Sequence, residues 1–340
     1  MNNLWGQETR LFEQLTPEEI MKASEVFKQR LTGKVLPLNS IENRVYEVEL
    51  ASPFDFGPGF SKNHIIIKFY RPGRWTKEQI LDEHRFLLTL QEFEVPVVAP
   101  LALGSDETTL FFDEENKLYY AIFAKLQGRL KDELIGDEIE QAGRLIGRIH
   151  NIGSQGTFAH RLNFHPELFI QGAKINLIES NLIQEPSFTH YLNLLDNVTQ
   201  LATSSLGQIS YQKIHGDFHR GNIVWNINGP TAVDFDDTLN GPIEQDLWLL
   251  FSGTDSYSNE DREKFLKAYC EMTRNDYVSL RNIEVFRTMR MIHFNGWIAK
   301  RWNDHSFRQL FPQFTQSQYW DQQLIDLRMQ MSLMQESQYY

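Results

Sequence analysis

The spacing of hydrophobic residues changes near residue 125, and this change constrains the fold more than any other feature of the sequence. Between about Val35 and Lys125, short stretches alternate apolar and polar residues and are separated by Gly, Pro, Asn and Asp. Alternation with a period of two predicts β-strands, and the breaks predict turns. After Lys125 the apolar residues recur mostly every three or four positions, which predicts helices. The chain should therefore contain a strand-rich part followed by a helical part.

The strand-rich part is expected to form a small, mostly antiparallel sheet. Its predicted strands cover residues 44–50, 64–70, 109–112 and 118–124. One helix is predicted before the sheet, from the N-cap Thr16 to about Arg30, with Gly33 ending it. A second helix should begin at the capping box formed by Thr76 and Gln79.

Helices dominate the remainder of the chain. The predicted helices cover residues 139–150, about 175–206, 260–272, 282–301 and a segment after Ser317. Residues 213–237 are the exception, because apolar and polar residues alternate there around two turns. We therefore predict an α+β fold with two lobes, a small antiparallel-sheet lobe of residues 1–125 and a larger, mainly helical lobe of residues 126–340.

Composition restricts the possible partners and location. The 340 residues suffice for two core-bearing units. A formal net charge of −12 disfavours nucleic acid and anionic membranes as partners, since their phosphates would repel such a surface. The single cysteine, Cys270, excludes an intramolecular disulfide. The first ten residues lack the features of a signal peptide, and no apolar stretch is long enough to span a membrane, so a cytoplasmic protein is expected.

Residues 214–225 and 232–237 carry the side chains needed for phosphoryl transfer from ATP. That reaction requires an oriented hydroxyl group, a metal ion bridging the phosphates and cations that spread the charge. Asp217, in a tight loop, can accept the hydroxyl proton. Asn222, five residues later, offers Mg²⁺ a neutral oxygen, and Asp234 offers it a charged one. These residues predict an ATP- and Mg²⁺-dependent phosphotransferase in which Asp217 and Asp234 are catalytic and Asn222 and Asp234 bind the metal.

A predicted hairpin explains how the two metal ligands meet. Strands 223–226 and 231–234, joined at Asn228-Gly229, would bring Asn222 and Asp234 to neighbouring strand ends.

Three further residues are expected to support this loop structurally. His215 and His219 should orient it through hydrogen bonds, since a zinc site would need more Cys or His ligands than the neighbourhood contains. Asp246 should either cap the helix that follows or accept hydrogen bonds from the backbone N–H groups of the loop.

Lys68 and Glu83 are predicted to form an ATP-positioning pair. Lys68 follows the apolar run Ile65-Ile66-Ile67, where an unpaired charge would be costly. Glu83 lies on a predicted helix face that also carries Ile80 and Leu87. A lysine that bridges the ATP phosphates and this glutamate accounts for both charges.

The motifs resemble those of a known group of kinases. The run His215-Gly216-Asp217-x-His219-x-Gly221-Asn222, followed by Val233-Asp234, resembles the signature of aminoglycoside- and choline-kinase-like enzymes, which share the protein-kinase fold. A closer resemblance, to the bacterial stress response kinase A family, is carried by Leu38-Asn39-Ser40-Ile41-Glu42-Asn43-Arg44-Val45-Tyr46, Lys68-Phe69-Tyr70-Arg71-Pro72-x-Arg74-Trp75-Thr76, Val233-Asp234-x-Asp236-Asp237, Asn240-Gly241-Pro242, Gln245-Asp246-Leu247-Trp248 and Arg287-x-Met289-Arg290-Met291.

This resemblance implies a fold, an activity and site residues. It implies a two-lobed protein-kinase-like fold with a nucleotide-binding lobe in residues 1–125 and a catalytic lobe in residues 126–340. It also implies a monomeric, cytoplasmic Ser/Thr protein kinase associated with stress resistance, whose acceptor is another protein or the enzyme itself. The resemblance assigns Asp217 as proton acceptor, Asn222 and Asp234 as Mg²⁺ ligands, and Ser40 as a residue that contacts ATP.

The residues alone leave the acceptor open. Asp234 and Asp246 are only twelve positions apart, with Thr238 as the sole hydroxyl between them, which is too short for the phosphorylated docking platform of eukaryotic protein kinases. A small-molecule kinase of the aminoglycoside, choline or homoserine type is therefore one alternative. A non-catalytic nucleotide-binding module is another, although the metal-binding and base residues that such modules usually lose are all present.

Overall fold

A computed structural model describes residues 11–12, 15–251, 253, 256–276, 278, 280 and 282–336. The chain divides into two compact units. The first comprises Met1–Leu162 and Gln212–Val278, and the second comprises Asn163–Tyr211 and Ser279–Tyr340. This division differs from the lobe boundary predicted at 125/126, which stays a prediction. Every predicted site residue belongs to the first unit.

The described part of the chain contains the following α-helices and β-strands. The helices are α1 Pro17–Ser24, α2 Lys77–Glu92, α3 Asp137–Gly153, α4 Pro166–Ser180, α5 Pro186–Leu206, α6 Glu244–Leu247, α7 Ser256–Met272, α8 Ile283–Lys300, α9 His305–Leu310 and α10 Ser317–Glu336. The strands are β1 Leu31–Pro37, β2 Arg44–Leu50, β3 Phe60–Phe69, β4 Phe111–Asp113, β5 Leu118–Leu126, β6 Gln212–Ile214, β7 Ile223–Asn226, β8 Gly229–Ala232 and β9 Leu239–Gly241. Within the described residues, none of these helices is long and apolar enough to cross a membrane. The predicted absence of a signal peptide concerns residues 1–10, which lie outside the described residues.

The first unit contains a five-stranded antiparallel sheet with the strand order β1-β2-β3-β5-β4. The four predicted strands are confirmed as β2 to β5, although β3 begins earlier, at Phe60. On β3, Ile65, Ile67 and Phe69 belong to a buried core with α1. Because successive side chains of a strand point to opposite faces, Lys68 projects from the other face.

The first helix ends earlier than predicted. The capping box of Thr16 is present, but α1 stops at Ser24 and continues only as a 3₁₀ turn, Glu25–Phe27. Lys28 then adopts a left-handed conformation with φ of 57°, which ends the helix. The prediction that Gly33 ends the helix is therefore wrong, since Gly33 lies within β1 at an irregularity of the β1–β2 register, with φ of 96°.

The helix predicted over residues 175–206 is two helices, α4 and α5. Asn181, in a left-handed conformation with φ of 49°, ends α4. Pro186 then occupies the first turn of α5, a position that tolerates proline because its missing N–H is not needed there. In the second unit α4 packs on α8 and α5 on α10. Trp320 of α10 is fully buried there against aromatic side chains of α5.

The predicted hairpin is formed by β7 and β8, with a turn one position earlier than expected. Asn226 pairs with Gly229, so the two loop residues are Ile227 and Asn228 rather than Asn228 and Gly229. Gly229 has a φ of 102°, which explains the glycine at this position. At the other end of the hairpin Ile223 pairs with Ala232, and this end leads directly to the candidate site.

Candidate active site

Asp217 lies in the tight loop after β6, close to the ring of His219. Nδ1 of His219 accepts a hydrogen bond of 2.9 Å from the backbone N–H of Gly221. The proton of the neutral ring therefore lies on Nε2, which is 3.3 Å from Oδ2 of Asp217. The imidazole thus lies beside one carboxylate oxygen of the predicted proton acceptor.

His215 connects this loop to the strand that precedes Asp234. Its ring is fully buried, its Nδ1 accepts from the backbone N–H of Asp217 at 3.3 Å, and its Nε2 donates to the carbonyl oxygen of Val233 at 3.0 Å. Both histidine rings contact the loop backbone, His215 at Asp217 and Val233 and His219 at Gly221. That they orient the loop stays a prediction.

Asp246 holds the start of the loop through its buried carboxylate. Oδ2 accepts from the backbone N–H of His215 at 2.7 Å, and Oδ1 accepts from that of Gly216 at 2.8 Å. His150 of α3 donates to Oδ2 at 2.9 Å. Of the two predicted roles, the geometry favours binding the loop, since Asp246 lies inside α6 rather than at its N-cap. The contribution of His150, 96 residues away, was not predicted.

Gly216 is required because the loop passes close to the backbone of Asp237 at this position. Its φ is 90°, and a Cβ built there would lie 2.1 Å from the carbonyl oxygen of Asp237. Any other residue would be strained and would collide with backbone. This explains the glycine between His215 and Asp217.

Asn222 and Asp234 meet at the open end of the hairpin. The backbone N–H of Val233 donates to the carbonyl oxygen of Asn222 at 3.0 Å, which places the two predicted metal ligands on adjacent chain segments. The Asn222 amide nitrogen donates to the carbonyl oxygen of Asp217 at 2.9 Å, so its Oδ1 is the atom that remains for a metal. Asp234 has a left-handed backbone with φ of 60°, and its side chain is 57% exposed.

This donor set suits a hard divalent cation bound together with a nucleotide. Mg²⁺ is usually held by one or two protein oxygens, with phosphate oxygens and water completing six ligands. Asn222 and Asp234 provide two such oxygens. In the described part of the chain no three His, Cys, Asp or Glu side chains are grouped as a metal site. For a Mg²⁺ ion bound with a nucleotide, phosphates and water usually complete the ligand set.

Lys68 is surrounded by three carboxylates. Its Nζ lies 3.0 Å from Asp236 Oδ1, 3.7 Å from Glu83 Oε1 and 3.8 Å from Asp234 Oδ1. Burial lowers the pKa of Lys68, but the nearby carboxylates, Asp236 and Glu83 foremost, raise it well above the ordinary lysine value. The structure therefore brings the predicted pair together, but the carboxylate closest to Lys68 is Asp236, which was not predicted.

Asp236 is a buried carboxylate that two cationic side chains share. Arg74 donates to Oδ2 of Asp236 and, at 2.5 Å, to Oδ1 of Asp237. Burial raises the pKa of Asp236, but Arg74, Lys68 and Arg161 outweigh it and hold that pKa well below its usual range. Arg74 stands in a segment that resembles the stress response kinase A family, which is the only signal in the sequence for its role.

Glu83 is held from a second side by Arg161. Nη2 of Arg161 donates to Oε2 of Glu83 at 2.6 Å, and Nη1 donates to the carbonyl oxygen of Asp236 at 2.7 Å. Burial raises the pKa of Glu83, while the charges of Lys68 and Arg161 act in the opposite direction. No local pattern predicts this contact, because the two residues are 78 positions apart.

Ser40 lies in the glycine-free loop between β1 and β2. Arg71 fixes this loop by donating from Nε to the carbonyl oxygen of Glu42 at 2.7 Å and from Nη2 to that of Ile41 at 3.2 Å. In the part of the chain that the structure describes, Ser40 makes no hydrogen bond or ion pair with the carboxylates around Lys68. Its predicted contact with ATP stays a prediction.

A cleft of about 790 Å³ lies elsewhere in the first unit. It is lined by Gly128, Arg129, Lys131, Glu138, Gln141, Trp225, Asn226, Ile227, Asn228 and Gly229. These residues include the turn of the β7–β8 hairpin, whereas residues 215–219, the proposed catalytic loop, lie near the opposite end of that hairpin. The cleft is therefore separate from the candidate active site.

Comparison with known sequences defines the class of this protein. The sequence model of the phosphotransferase enzyme family matches residues 34–283, most of the chain. The chain belongs to this family.

Within this class the chain is similar over nearly its whole length to stress response kinase A. It is 33% identical over 326 residues to that protein of Escherichia coli K12, which covers 96% of this chain and 95% of the relative. It is 34% identical over 315 residues to the Salmonella typhimurium protein named serine/threonine protein kinase RdoA, covering 92% and 91%. The chain is a kinase.

Solved structures confirm the predicted fold class. Amicoumacin kinase, solved with AMP-PNP and Ca²⁺, matches with a TM-score of 0.73 at 19% identity and covers 96% of each chain. Choline kinase from Cryptosporidium parvum matches with a TM-score of 0.62 at 14% identity, covering 93% of this chain and 95% of the other. The chain thus has the α+β, protein-kinase-like fold of these enzymes, with an N-terminal antiparallel sheet and a helical C-terminal part.

Proposed function

We propose that this kinase transfers the γ-phosphoryl group of ATP to Ser or Thr hydroxyl groups of proteins, in a Mg²⁺-dependent reaction that serves a stress response. The observation that carries the proposal is that Asn222 is hydrogen-bonded to the backbone of Asp217 and of Val233, while Asp234, the next residue, lies 3.8 Å from Lys68. The names of the relatives, stress response kinase and serine/threonine protein kinase, support the choice of acceptor. The enzyme would act as a cytoplasmic monomer, without a nucleic acid or membrane partner.

Asp217 would orient the acceptor hydroxyl and take its proton. The hydroxyl oxygen forms a bond to the γ-phosphorus, the bond from that phosphorus to the β–γ bridging oxygen breaks, and ADP leaves. The position of Asp217 in the loop after β6, with His219 Nε2 3.3 Å from its Oδ2, supports this role.

Asn222 and Asp234 would hold the magnesium ion. When bound, the ion neutralises charge on the phosphates during transfer. A nucleotide analogue and a divalent cation are present in the solved amicoumacin kinase, which supports the use of both here.

Lys68, supported by Glu83, would contact the α- and β-phosphates, and Ser40 would contact ATP from the β1–β2 loop. For Lys68 this requires a change of partner, because its closest group in the structure is Asp236 at 3.0 Å. An incoming phosphate offers the ammonium a stronger, more highly charged acceptor.

A transfer assay with γ-labelled ATP and Mg²⁺ tests the proposal. The purified enzyme is incubated alone, with a Ser/Thr-rich protein, or with an amino alcohol. Label should appear on protein, the enzyme itself included, and should disappear in Asp217→Asn but not in the control Asp106→Asn, which changes an exposed carboxylate. Label on the amino alcohol alone would instead establish the alternative, a small-molecule kinase. Binding of ATP without any turnover would leave only a nucleotide-binding module.

A further inference from the structure

Helix α2 is attached at two adjacent residues to the segment around Arg161. Oδ2 of Asp82 accepts hydrogen bonds from the backbone N–H groups of His160, at 2.6 Å, and of Arg161, at 3.2 Å. The neighbouring Glu83 accepts from the Arg161 side chain. Asp82 of α2 therefore binds the backbone of the segment, and the Arg161 side chain of the segment binds Glu83, the next residue of α2.

The guanidinium group of Arg161 is fully committed to this attachment. Its side chain is 0% exposed. Nε donates to the carbonyl oxygen of Gln79 at 2.8 Å, while Nη1 and Nη2 donate to Asp236 and Glu83. Its plane lies over the ring of Trp75, with 4.4 Å between Cζ and the ring centroid. A planar fork with several donors can satisfy these acceptors together, whereas a lysine cannot.

This arrangement fixes Glu83 independently of any nucleotide. A carboxylate as buried as Glu83 needs cationic partners, and Lys68 at 3.7 Å is the more distant of its two. If Lys68 moves toward phosphates, Arg161 still neutralises Glu83. The position of α2, and therefore the position of Glu83 beside Lys68, does not depend on Lys68 itself.

We propose that Arg161 is a positioning residue for nucleotide binding, which acts through Glu83 and keeps the Lys68 site assembled before ATP arrives. The inference rests on the proposed ATP-binding role of Lys68 and Glu83. The inference adds Arg161, which lies outside every kinase motif of the sequence, to the residues that support ATP binding. It also implies that α2 does not have to move when ATP binds.

Nucleotide affinity measured by calorimetry with AMP-PNP and Mg²⁺ tests the inference without turnover. Arg161→Met should raise the dissociation constant by about tenfold or more, as expected for the loss of a charge-assisted hydrogen bond at the base of the site. Arg161→Lys should recover only a minor part of that loss. The matched control is Arg148→Met, because Arg148 also donates to carbonyl groups at the end of α2, at residues 93 and 94, but does not contact Glu83.

A double-mutant cycle separates positioning from general stability. If Arg161 acts through Glu83, Arg161→Met and Glu83→Gln together should weaken binding little more than either change alone. Amide hydrogen exchange of α2 should be slow in the nucleotide-free wild type and faster in Arg161→Met until AMP-PNP is added. Additive effects, or a dissociation constant within twofold of wild type in a folded Arg161→Met, would overturn the inference. A wild type that does not bind AMP-PNP would instead refute the proposed function.

Discussion

The ammonium group of Lys68 lies closer to Asp236 than to Glu83, at 3.0 Å against 3.7 Å. Asp236 also accepts from Arg74, so this one carboxylate neutralises two cations, Lys68 of β3 and Arg74 in the segment that follows β3. Glu83, in turn, receives its closest hydrogen bond from Arg161. Around the proposed phosphate site, Asp236 and Glu83 each contact two cationic side chains. Substitution of one of these residues should therefore change the stability of the fold as well as the activity.

Removing the charge of Asp236 should be costly for folding. Asp236→Asn leaves Lys68 and Arg74 without their shared counter-charge, and breaking a buried ion pair from one side typically costs about 3–5 kcal/mol. Urea unfolding of the purified protein measures this loss. The control is Asp237→Asn, because the Asp237 side chain is 48% exposed and should contribute less than about 1 kcal/mol. Equal losses in the two variants would show that burial of Asp236 does not matter.

Asp246→Asn should lower the turnover rate while leaving nucleotide affinity nearly unchanged. The buried carboxylate accepts from His215, Gly216 and His150, and an amide offers only one oxygen to these three donors. The catalytic loop would lose part of its alignment, which can cost about 100-fold in rate for a displacement near 1 Å. Steady-state kinetics with ATP as varied substrate measure the effect. Glu244→Gln, in the same short helix, should behave like wild type.

His84 should remain neutral far below the usual histidine range. It is buried, its Nε2 is 2.8 Å from the hydroxyl of Tyr70, and its Nδ1 is 3.0 Å from that of Thr109. Burial, together with the charges of Lys68 and Arg161, lowers its pKa to about 3. NMR of the ring nitrogens should therefore show a single neutral tautomer down to about pH 4, and a midpoint near 6.5 would contradict this.

The same shift predicts how stability depends on pH. Between pH 6.5 and about 3 the unfolded chain binds a proton at His84 that the folded protein does not. The free energy of unfolding should therefore fall as pH decreases through this window, with a limiting slope of about 1.4 kcal/mol per pH unit from this residue. Urea unfolding at several pH values, compared with His84→Gln, isolates the contribution. An equal pH dependence in the variant would remove His84 as its source.

Gly216→Ala should inactivate the enzyme. The new methyl group would meet the carbonyl oxygen of Asp237 at 2.1 Å, at a φ that alanine rarely adopts, so the loop that carries Asp217 must shift. Gly172→Ala in α4 is the matched control, since nothing lies within 4 Å of its added Cβ. That change should stabilise the protein by about 0.5–1 kcal/mol, because alanine is the better helix former. Activity assays and thermal unfolding of both variants test the pair.

Local signals in the sequence predicted the parts of the molecule that depend on neighbouring residues. The N-cap at Thr16 and the capping box of Thr76 and Gln79 were predicted correctly. So was the hairpin of β7 and β8, which brings the backbone of Val233 to that of Asn222. The failures at the ends of α1 and α4 have a local cause too: Lys28 and Asn181 adopt left-handed conformations that their residue types do not require.

The unpredicted parts of the site depend on contacts between distant segments. Arg74 reaches Asp236 across 162 positions, and Arg161 reaches Glu83 across 78. A buried ion pair leaves no periodicity or spacing in the sequence, since its partners meet only once the sheet, α2 and the catalytic loop have packed. Identifying such partners requires the fold, even when a motif predicts the reacting residues.

Thr238 has a consequence for how such an enzyme can be controlled. It is the single hydroxyl side chain between Asp234 and Asp246, it is fully buried, and its Oγ1 donates to the carbonyl oxygen of Ile214 at 2.6 Å. Phosphate could not be attached there without separating β9 from β6. This stretch therefore cannot serve as an on–off switch set by phosphorylation, of the kind found in eukaryotic protein kinases.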